Sequence, residues 1–446
     1  MRSPILLATI AISFLITLFS YVEAKSVTGD RVLVLLDDLA DKDLYSRFWQ
    51  SLQDREYQLS FTTSADERPA ILEKYGEFQY DHIIHFAYKS KDIAKHKSFG
   101  NVQLVKFVND GGNLLVATAN DPSLAIRDLG AEFDIEFDAT GTNVYDHKDT
   151  EHDLISTSRI EAPTSIIDDI KKPILYRGVG LYLGETPMLN HILKAESTAF
   201  SSNGYSASTS GSDDIELVAA MQARNSARAT FSGSLDLFSD SFAERKVEQT
   251  RPNGTAKRQV PSGNIEFVEQ LSKWTFQEKS VLKVVDHRHH KVNETSQPEY
   301  YRIKDEMLYI LEVSEYVNDQ WVPFKANDIQ LEIIMLDPYI RTTLKQVPVA
   351  TEHHFGRFTA HVTLPDVYGV FTLKVNYKRP GLTYLLAEDV VALRPFRHNE
   401  YDRFLTAAYP YYASVGSMIV GFVVFSLVWL STWGGQDLKD TKQKAQ

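Results

Sequence analysis

Cysteine is absent from all 446 residues of the chain. Its absence excludes disulfide bonds, thiolate metal sites and every cysteine nucleophile. Small secreted modules usually depend on disulfides, whereas larger domains bury enough apolar surface to be stable without them. The length of the chain therefore predicts two domains, each with a core of its own.

Positive charge is also scarce, because 47 Lys and Arg residues stand against 59 Asp and Glu residues, for a formal net charge of -12. Proteins that bind nucleic acid usually carry a basic patch or stripe. The charge balance therefore argues against nucleic acid as a partner.

Motifs that hold phosphate or activate a hydroxyl are missing as well. A dinucleotide site needs glycines directly after the first strand, and the turn here reads Asp37-Asp38-Leu39-Ala40-Asp41, whose three acids repel phosphate. Gly178-Val179-Gly180 is an isolated GxG in a strand-like run. Gly204-Tyr205-Ser206-Ala207-Ser208 lacks the second glycine of a nucleophile elbow and lies in a serine-rich stretch.

Two long apolar runs are present. Residues 1–24 combine one basic residue, an uncharged apolar stretch and a final alanine, which is typical of a cleaved signal peptide. Residues 411–433 carry no charge and, as a helix, are long enough to cross a hydrocarbon core of ~30 Å. A signal peptide followed by one span predicts a type I membrane protein with most of the chain lumenal and a cytosolic tail at 434–446.

Short signals in the tail and the lumenal part bear on location. Lys442 and Lys444 stand fifth and third from the end, a pattern that predicts retrieval to the endoplasmic reticulum. A basic flank that stops membrane transfer is the alternative. Sequons at Asn253 and Asn293 predict glycan acceptors, although sequons also occur by chance.

The first domain, expected at residues 25–255, alternates strand and helix patterns. Strand-like runs at 31–36, 57–62, 80–87 and 113–119 are separated by helical patterns. This alternation predicts a parallel, doubly wound, flavodoxin-like α/β sheet.

Ligands of such sheets bind beyond the carboxyl ends of the strands. Asp37 and Asp38 follow the first strand, and we expect the segment with Ser234 and Asp236 to run out to the same edge. These four residues form the candidate ligand rim. The favoured interpretation of Asp37 and Asp38 is a polar, helix-capping rim without a catalytic role. A capped helix start is likewise the alternative for Ser234 and Asp236.

Two polar clusters were weighed as metal sites. One consists of acids that alternate with apolar residues, at Glu132, Asp134, Glu136 and Asp138. The other offers imidazoles at His287, His289 and His290. We favour a solvated strand face for the acids. A mobile polar linker is favoured for the histidines, because no acidic cluster lies near them beyond Asp286. No metal site is predicted.

The apolar pattern then changes to alternation at period two. Phe358, Ala360, Val362 and Leu364 face one way, and residues 371–377 repeat the pattern in the next strand. This predicts an all-β sandwich at 297–400, preceded by a linker and the start of the second domain at 256–296.

Several stretches resemble the family of 48-kDa subunits of the oligosaccharyltransferase complex. They are residues 29–38, residues 80–87, the block FSGSLDLFSD at 231–240 and above all RPFRHNEYDRFLTAAYPYY at 394–412. The resemblance covers nearly the whole chain. It implies a lumenal α/β domain, a β-sandwich and one span. The complex belongs to the endoplasmic reticulum membrane and transfers a preassembled glycan from dolichyl pyrophosphate to Asn in Asn-x-Ser/Thr sequons.

In that family the chemistry belongs to a separate multi-pass subunit that carries the divalent metal. The resemblance therefore implies an accessory, non-catalytic subunit without a cofactor of its own. Its implied partners are the catalytic subunit, the ribophorins, the small defender-against-death subunit and, through the complex, dolichol-linked oligosaccharide and nascent polypeptide. The alternative is a free-standing lumenal hydrolase or carbohydrate-binding receptor of type I topology that uses the acidic rim.

The span itself shows a packing pattern. Ala413, Ser417 and Gly421 recur every four residues, which aligns three small side chains on one helix face. Such a face lets a neighbouring membrane helix approach closely, and chance spacing is the alternative.

Overall fold

The computed structural model describes residues 26–63, 70–91, 93–146, 153–202, 215–250, 257–317, 319–348 and 354–433. The expected signal peptide, the sequon at Asn253 and the retrieval residues Lys442 and Lys444 lie outside these ranges. Among the described residues, the α-helices are α1 (Ser46–Asp54), α2 (Asn101–Asn109), α3 (Leu124–Glu132), α4 (Asp240–Glu244), α5 (Asn264–Thr275) and α6 (Tyr409–Trp433). Short 3-10 helices lie at Leu39–Tyr45, Ile93–Lys95, Asp236–Phe238 and Thr406–Ala408.

The strands of the first domain run from Arg31 to Pro261. They are β1 (Arg31–Leu36), β2 (Gln58–Thr63), β3 (Glu73–Lys74), β4 (Glu77–Phe78), β5 (His82–His85), β6 (Asn113–Ala117), β7 (Ile135–Phe137), β8 (Asn143–Asp146), β9 (Ile155–Thr157), β10 (Ile174–Tyr176), β11 (Leu181–Leu183), β12 (Leu189–Lys194), β13 (Ala199–Ser202), β14 (Glu216–Gln222), β15 (Arg228–Ser232), β16 (Lys246–Thr250) and β17 (Lys257–Pro261).

The main sheet of this domain has the order β2-β1-β5-β6-β15-β14-β11-β7, with β12 beside β14. Its first five strands are parallel and follow the 2-1-3-4-5 order of flavodoxin-like sheets. The remaining strands extend the sheet in antiparallel fashion. The predicted doubly wound α/β fold is confirmed, and the antiparallel extension adds to it.

Both faces of the sheet are covered by helices. Val32, Val34 and Leu36 point to the face that α1 and α5 cover, where Trp49 and Trp274 are buried. Leu33 and Leu35 point to the opposite face, against α2 and α3. Since β1 is buried on both faces, its sequence is a continuous apolar run rather than an alternating one.

The second domain consists of two sheets packed on each other. Its strands are β18 (Lys279–Lys291), β19 (Tyr300–Arg302), β20 (Glu306–Val317), β21 (Gln320–Pro323), β22 (Gln330–Met335), β23 (Asp337–Thr343), β24 (Lys345–Val347), β25 (Gly356–Thr363), β26 (Gly369–Tyr377) and β27 (Leu385–Arg394). One sheet has the order β18-β20-β25-β24 with β21 beside β20, and the other has β19-β27-β26-β22-β23. Their inner faces share one apolar core, as predicted for a β-sandwich.

The interpretation of the three histidines as part of a mobile linker is wrong. His287, His289 and His290 lie in β18, which pairs with β20 along its length. His289 is buried and its Nδ1 lies 2.7 Å from the Tyr301 hydroxyl. Helix α5 also falls in the expected linker at 256–296, but its apolar face packs on the α/β sheet. The polar side chains of an edge strand give it the same composition as a loop, which is why the sequence predicts a linker here.

The expectation that four acids share one strand face is also wrong. Glu132 is the last residue of α3, and Asp134 has a positive φ of 61° in the turn that follows. Within the short strand β7 the acid is Glu136, and Asp138 lies beyond its end. Helix α3 therefore extends to Glu132, into the segment in which alternating acids predicted a strand.

Arg228 joins the two domains. Its fully buried guanidinium donates to the carbonyl oxygens of Trp274 and Lys279 through Nη1, at 2.6 and 2.9 Å, and to that of Ser280 through Nη2, at 2.9 Å. Burial lowers its pKa to about 9. The strand β15 is thereby bonded to the end of α5 and to the first residues of β18.

Helix α6 is apolar throughout and exposed along its length. Among the described residues it is the helix long and apolar enough to cross a membrane, with a mean hydropathy of 2.1. The chain therefore has a C-terminal transmembrane helix, as predicted.

Candidate functional site at the carboxyl end of the α/β sheet

The topological switch point of the sheet lies between β1 and β5, because the chain runs from β1 to β2 on one side and later returns to β5 on the other side of β1. Asp37 directly follows β1 and spans this crevice. Its Oδ2 accepts a hydrogen bond from the backbone N–H of Lys89 at 3.0 Å, and its Oδ1 accepts one from Ser90 at 3.1 Å. Burial raises the pKa of Asp37, and the two backbone donors partly offset that rise. The carboxylate therefore ties together the two loops between which a ligand of such a sheet would bind.

Asp38 acts as a helix cap. Its side chain is exposed, and its Oδ1 accepts from the N–H of Ala40 at 3.1 Å at the start of the 3-10 helix Leu39–Tyr45. The helix-capping interpretation made from the sequence matches this geometry.

Ser234 is fully buried and also holds a turn. Its Oγ accepts from the N–H of Leu237 at 3.2 Å, and its backbone N–H donates to Ser232 Oγ at 3.3 Å. Strand β15 was expected to continue to the rim, but it ends at Ser232. The 3-10 helix Asp236–Phe238 follows. Ser234 therefore lies in a hydrogen-bonded turn, while the N-cap position of the 3-10 helix is Leu235, which has no side-chain cap.

Asp236 lies at the same edge, but its carboxylate forms an ion pair rather than a hydrogen bond with a backbone N–H group. Its Oδ2 lies 3.7 Å from Arg177 Nη1, and Arg177 Nε lies 3.2 Å from Asp153 Oδ2. Burial raises the pKa of Asp236, Arg177 lowers it and Asp153 raises it further.

Tyr45 is a buried phenol whose pKa depends on several acids of this edge. It is buried, and its pKa is raised first by burial and then by the charges of Asp236, Asp41 and Asp37. The negative charges of three carboxylates therefore act on one phenol. A phenol with a raised pKa stays protonated and suits hydrogen bonding rather than general-base chemistry.

Asp240 is the residue of this edge that the sequence analysis missed. Its carboxylate accepts from the backbone N–H groups of Ser46 and Arg47, both at 3.0 Å, and from the Ser46 hydroxyl. The N-terminus of α1 is the place where a doubly wound fold commonly binds an anion. Here a carboxylate from the protein itself occupies that place.

The isolated glycines of the sequence serve backbone packing. A Cβ on Gly178 would lie 2.0 Å from the carbonyl oxygen of Gly233, and one on Gly233 would lie 2.0 Å from that of Val179. The backbones at these positions approach more closely than any side chain allows, which accounts for the GxG pattern without a phosphate.

A polar cleft of about 780 Å³ lies between α5 and β20. Three basic residues line it, and each lies near an acid: Arg55 at 2.6 Å from Glu278, Lys273 at 2.6 Å from Glu269 and Lys279 at 3.9 Å from Asp168. Glu315 also lines the cleft, and burial raises its pKa. Because the walls come from two domains, no local pattern in the sequence predicted this cleft.

The remaining candidate residues lie far from the rim. Asn293 is exposed in a turn after β18. Ala413, Ser417 and Gly421 lie on consecutive turns of α6, and a Cβ on Gly421 would contact nothing. Within the described residues, no group of three or more His, Asp and Glu side chains is arranged to hold a metal.

Two protein-family models match the chain. The one described as the OST48 N-terminal domain covers residues 23–278, and the one described as the OST48 middle domain covers residues 289–433. Their boundary falls close to the end of α5, which agrees with the packing of that helix on the α/β sheet.

Curated relatives match over almost the full chain. The dolichyl-diphosphooligosaccharide–protein glycosyltransferase 48 kDa subunit of Danio rerio is 39% identical over 91% of this chain and 93% of its own length. The subunits of the same description from Drosophila melanogaster and Arabidopsis thaliana are 38% and 36% identical, over 96% and 94% of this chain and 96% of their own lengths. A crystal structure of Agd3, a novel carbohydrate deacetylase, is 12% identical, and the match covers 46% of this chain and 29% of that one with a TM-score of 0.28.

Proposed function

Because the chain belongs to the OST48 family, the 48 kDa subunits of dolichyl-diphosphooligosaccharide–protein glycosyltransferase, we propose that it is an accessory, non-catalytic subunit of that complex. In this role it supports assembly of the complex and the handling of the donor glycan or the acceptor chain. The transfer of a preassembled glycan from dolichyl pyrophosphate to Asn in Asn-x-Ser/Thr sequons takes place on another subunit, which carries the divalent metal.

The observation that carries the proposal is the engagement of the rim by its own backbone. Asp37, Asp38, Ser234 and Asp240 all accept hydrogen bonds from N–H groups of the same chain. A general base needs a free lone pair within reach of the substrate proton, and a pyrophosphate leaving group needs a metal or basic clamp. This edge instead carries negative charge, from the carboxylates of Asp37, Asp41 and Asp236 that act on Tyr45.

The test uses the purified complex with Asp37→Asn and Asp38→Asn combined. We expect assembly and the transfer rate per assembled complex to equal those of a complex with Asp43→Asn, an exposed acid of the same 3-10 helix. Intact assembly with transfer abolished would refute the non-catalytic role of these acids.

The alternative is a free-standing hydrolase or carbohydrate-binding receptor. The native size in digitonin separates the two functions. Migration in a large assembly, with loss of protein glycosylation on depletion, supports the accessory subunit. Migration at about the mass of one chain, 50.6 kDa, with unchanged glycosylation supports the alternative.

We assign donor or acceptor handling to the cleft between α5 and β20, because its carboxylates can accept hydrogen bonds from hydroxyl and amide groups. Glu315 is the residue to change, since it lies on the sandwich wall of the cleft. Glu315→Gln should raise the KM for the glycan donor or the acceptor peptide in the purified complex and leave kcat unchanged. Glu332→Gln, at a half-buried acid of the opposite sheet, serves as control. Equal KM values in both variants would remove the cleft from the proposal.

The membrane span is the proposed contact to the other membrane subunits, including the catalytic subunit, the ribophorins and the defender-against-death subunit. Gly421→Leu fills the small-residue face formed with Ala413 and Ser417 and should reduce recovery of these subunits after mild detergent extraction. Gly416→Leu is the matched control, because a separation of five residues turns it to a different face of the helix. Equal recovery with both variants would reject this face as an interface.

The proposed location is the membrane of the endoplasmic reticulum, with type I topology. Lys442→Ala with Lys444→Ala should move the chain expressed without its partners to later compartments, where a glycan at Asn293 or Asn253 becomes resistant to endoglycosidase H. Unchanged sensitivity of the glycan would show that the lysines do not mediate retrieval.

A further inference from the structure

One end of the sandwich carries large apolar side chains at the tips of its loops. Leu336 lies in the turn between β22 and β23 and is 98% exposed, and the loop between β25 and β26 exposes Val367, Tyr368 and, at the start of β26, Val370. We call these four residues the apolar rim. Met335 lies over Gly369, where a Cβ would meet its Sδ at 2.7 Å, so the turn and the loop lie side by side.

The turn at Leu336 is unfavourable for the protein alone. Its φ is 65°, a conformation that glycine or asparagine adopts more readily than leucine. A leucine at such a position, with nearly all of its surface in water, stabilises neither the turn nor the core. Its apolar side chain therefore suits a contact outside this chain.

The apolar rim lies at the end of the sandwich from which the chain leaves for the membrane. Gly369 is paired with Leu393 and Val370 with Ala392, at the carboxyl end of β27. The next residues fold back against this end, because Arg394 donates to both oxygens of Glu400 at 2.6 and 2.7 Å and Phe396 lies between Arg302 and Tyr401. Seven residues lie between Tyr401 and the start of α6 at Tyr409, so eight steps along the chain limit that distance to at most ~28 Å.

Polarity changes along the sheet away from this end. Thr372 and Val390 form the next outward-facing pair, and Lys374 and Glu388 then form a salt bridge of 2.6 Å. Further along the chain, between this end of the sandwich and the span, the exposed residues include Phe404, Leu405, Tyr409, Tyr411 and Tyr412. An apolar surface with tyrosines, joined to a transmembrane helix, has the composition of a membrane–water interface.

We propose that the apolar rim binds the lipid surface of the bilayer that α6 crosses, with the tips at Leu336 and Tyr368 inserted at the headgroup level. Because the connection to α6 is short, the apolar rim stays within a few nanometres of the bilayer. The bilayer is therefore the surface that we expect the rim to bind. Two protruding tips without a groove fit a fluid surface better than a folded partner. The contact sets the height and tilt of the sandwich above the membrane.

The test exploits the absence of cysteine, which makes any introduced thiol unique. The full chain with Leu336→Cys is labelled with an environment-sensitive fluorophore and reconstituted through α6 into phosphatidylcholine nanodiscs that contain a lipid spin-labelled near the headgroup. Leu386→Cys is the matched control, because Leu386 is 58% exposed on the same sheet but near the start of β27, at the opposite end. Tyr368→Cys repeats the measurement at the second tip.

We expect a blue-shifted emission and several-fold stronger quenching at Leu336 and Tyr368 than at Leu386. Quenching at the two tips no stronger than at Leu386 would overturn the proposal. Shielding of the tips in the assembled complex, combined with water-like emission in the nanodisc of the chain alone, would identify a protein partner instead and would also overturn it.

Discussion

The α/β sheet and the β-sandwich each gather loops at one end, and the two ends use their side chains in opposite ways. At the switch point of the α/β sheet, acids that lie where an enzyme would act are bonded to the protein's own N–H groups, as Asp37 is to Lys89 and Ser90. At the apolar rim, Leu336 and Tyr368 leave their side chains in water. Whether such an edge can bind a partner therefore depends less on its position in the fold than on whether its side chains are already bonded within the protein.

The largest expected effect concerns the buried histidines of the α/β half. Burial lowers the pKa of both His82 and His85 to about 4, from an ordinary 6.5. The unfolded chain therefore binds more protons between these values, and stability present above pH 6.5 is lost as the pH falls towards 4. At pH 5 the loss in the free energy of unfolding should be about 2 kcal/mol for each residue.

His85→Phe isolates one of these contributions. Among the described residues, neither ring nitrogen of His85 has a hydrogen-bond partner, so the apolar ring removes the titration without breaking a bond. The variant should be more stable than the parent at pH 5 and show a weaker pH dependence in thermal unfolding. His361→Phe in the exposed face of the sandwich is the control, and an equal gain there would contradict the difference between the two halves.

The junction between the two regions gives the next effect. Arg228→Met leaves three buried carbonyl oxygens without their donor, which should cost about 3 kcal/mol in denaturant unfolding. Arg341→Met serves as control, because Arg341 is exposed and forms a surface ion pair with Glu332 in the sandwich. Similar losses for both variants would show that the buried guanidinium does not join the domains.

A smaller effect tests whether the first edge is filled by its own acid. Asp240→Ala removes the cap of α1 and should cost about 1–2 kcal/mol. It also frees the N-terminus of α1, so inorganic phosphate should raise the thermal midpoint of the variant and not that of the parent. Asp236→Ala, which removes an acid without a cap, should show neither change; a phosphate response in the parent would mean that the site is open.

The smallest effect belongs to the apolar rim. Leu336→Ser should change the free energy of unfolding by no more than about 0.5 kcal/mol, because the leucine side chain is not part of the core. Denaturant unfolding of the full chain in detergent measures it. A loss above about 1 kcal/mol would show that Leu336 stabilises the sandwich and would remove the contrast with Asp240.

Much of the architecture was accessible from the sequence because burial leaves a periodic pattern. Buried parallel strands such as β1 are continuous apolar runs, and the strands β25 and β26 alternate at period two. The strand β7 has three residues, too few to define a period, so the sequence predicts a longer strand over the acids at 132–138. β18 was taken for a linker because the charged and imidazole side chains of an edge strand have the composition of a loop.

The sequence predicted where the candidate site lies, but not which hydrogen bonds its residues form. The end of β1 places Asp37 and Asp38 at the switch point, and Asp38 caps a helix within its own segment. Asp240, by contrast, bonds to residues 193 and 194 positions earlier. No local pattern marks such a contact, since it depends on the order in which the strands pair.

Arg228 also constrains how the chain can fold during synthesis. Two of its carbonyl acceptors come 51 and 52 residues later in the chain, so the guanidinium is synthesised well before they are. Until then a strand at the centre of the sheet carries a cation without its final partners. The first domain therefore closes only when the start of the second has been synthesised, which makes the two halves a single unit of folding during synthesis.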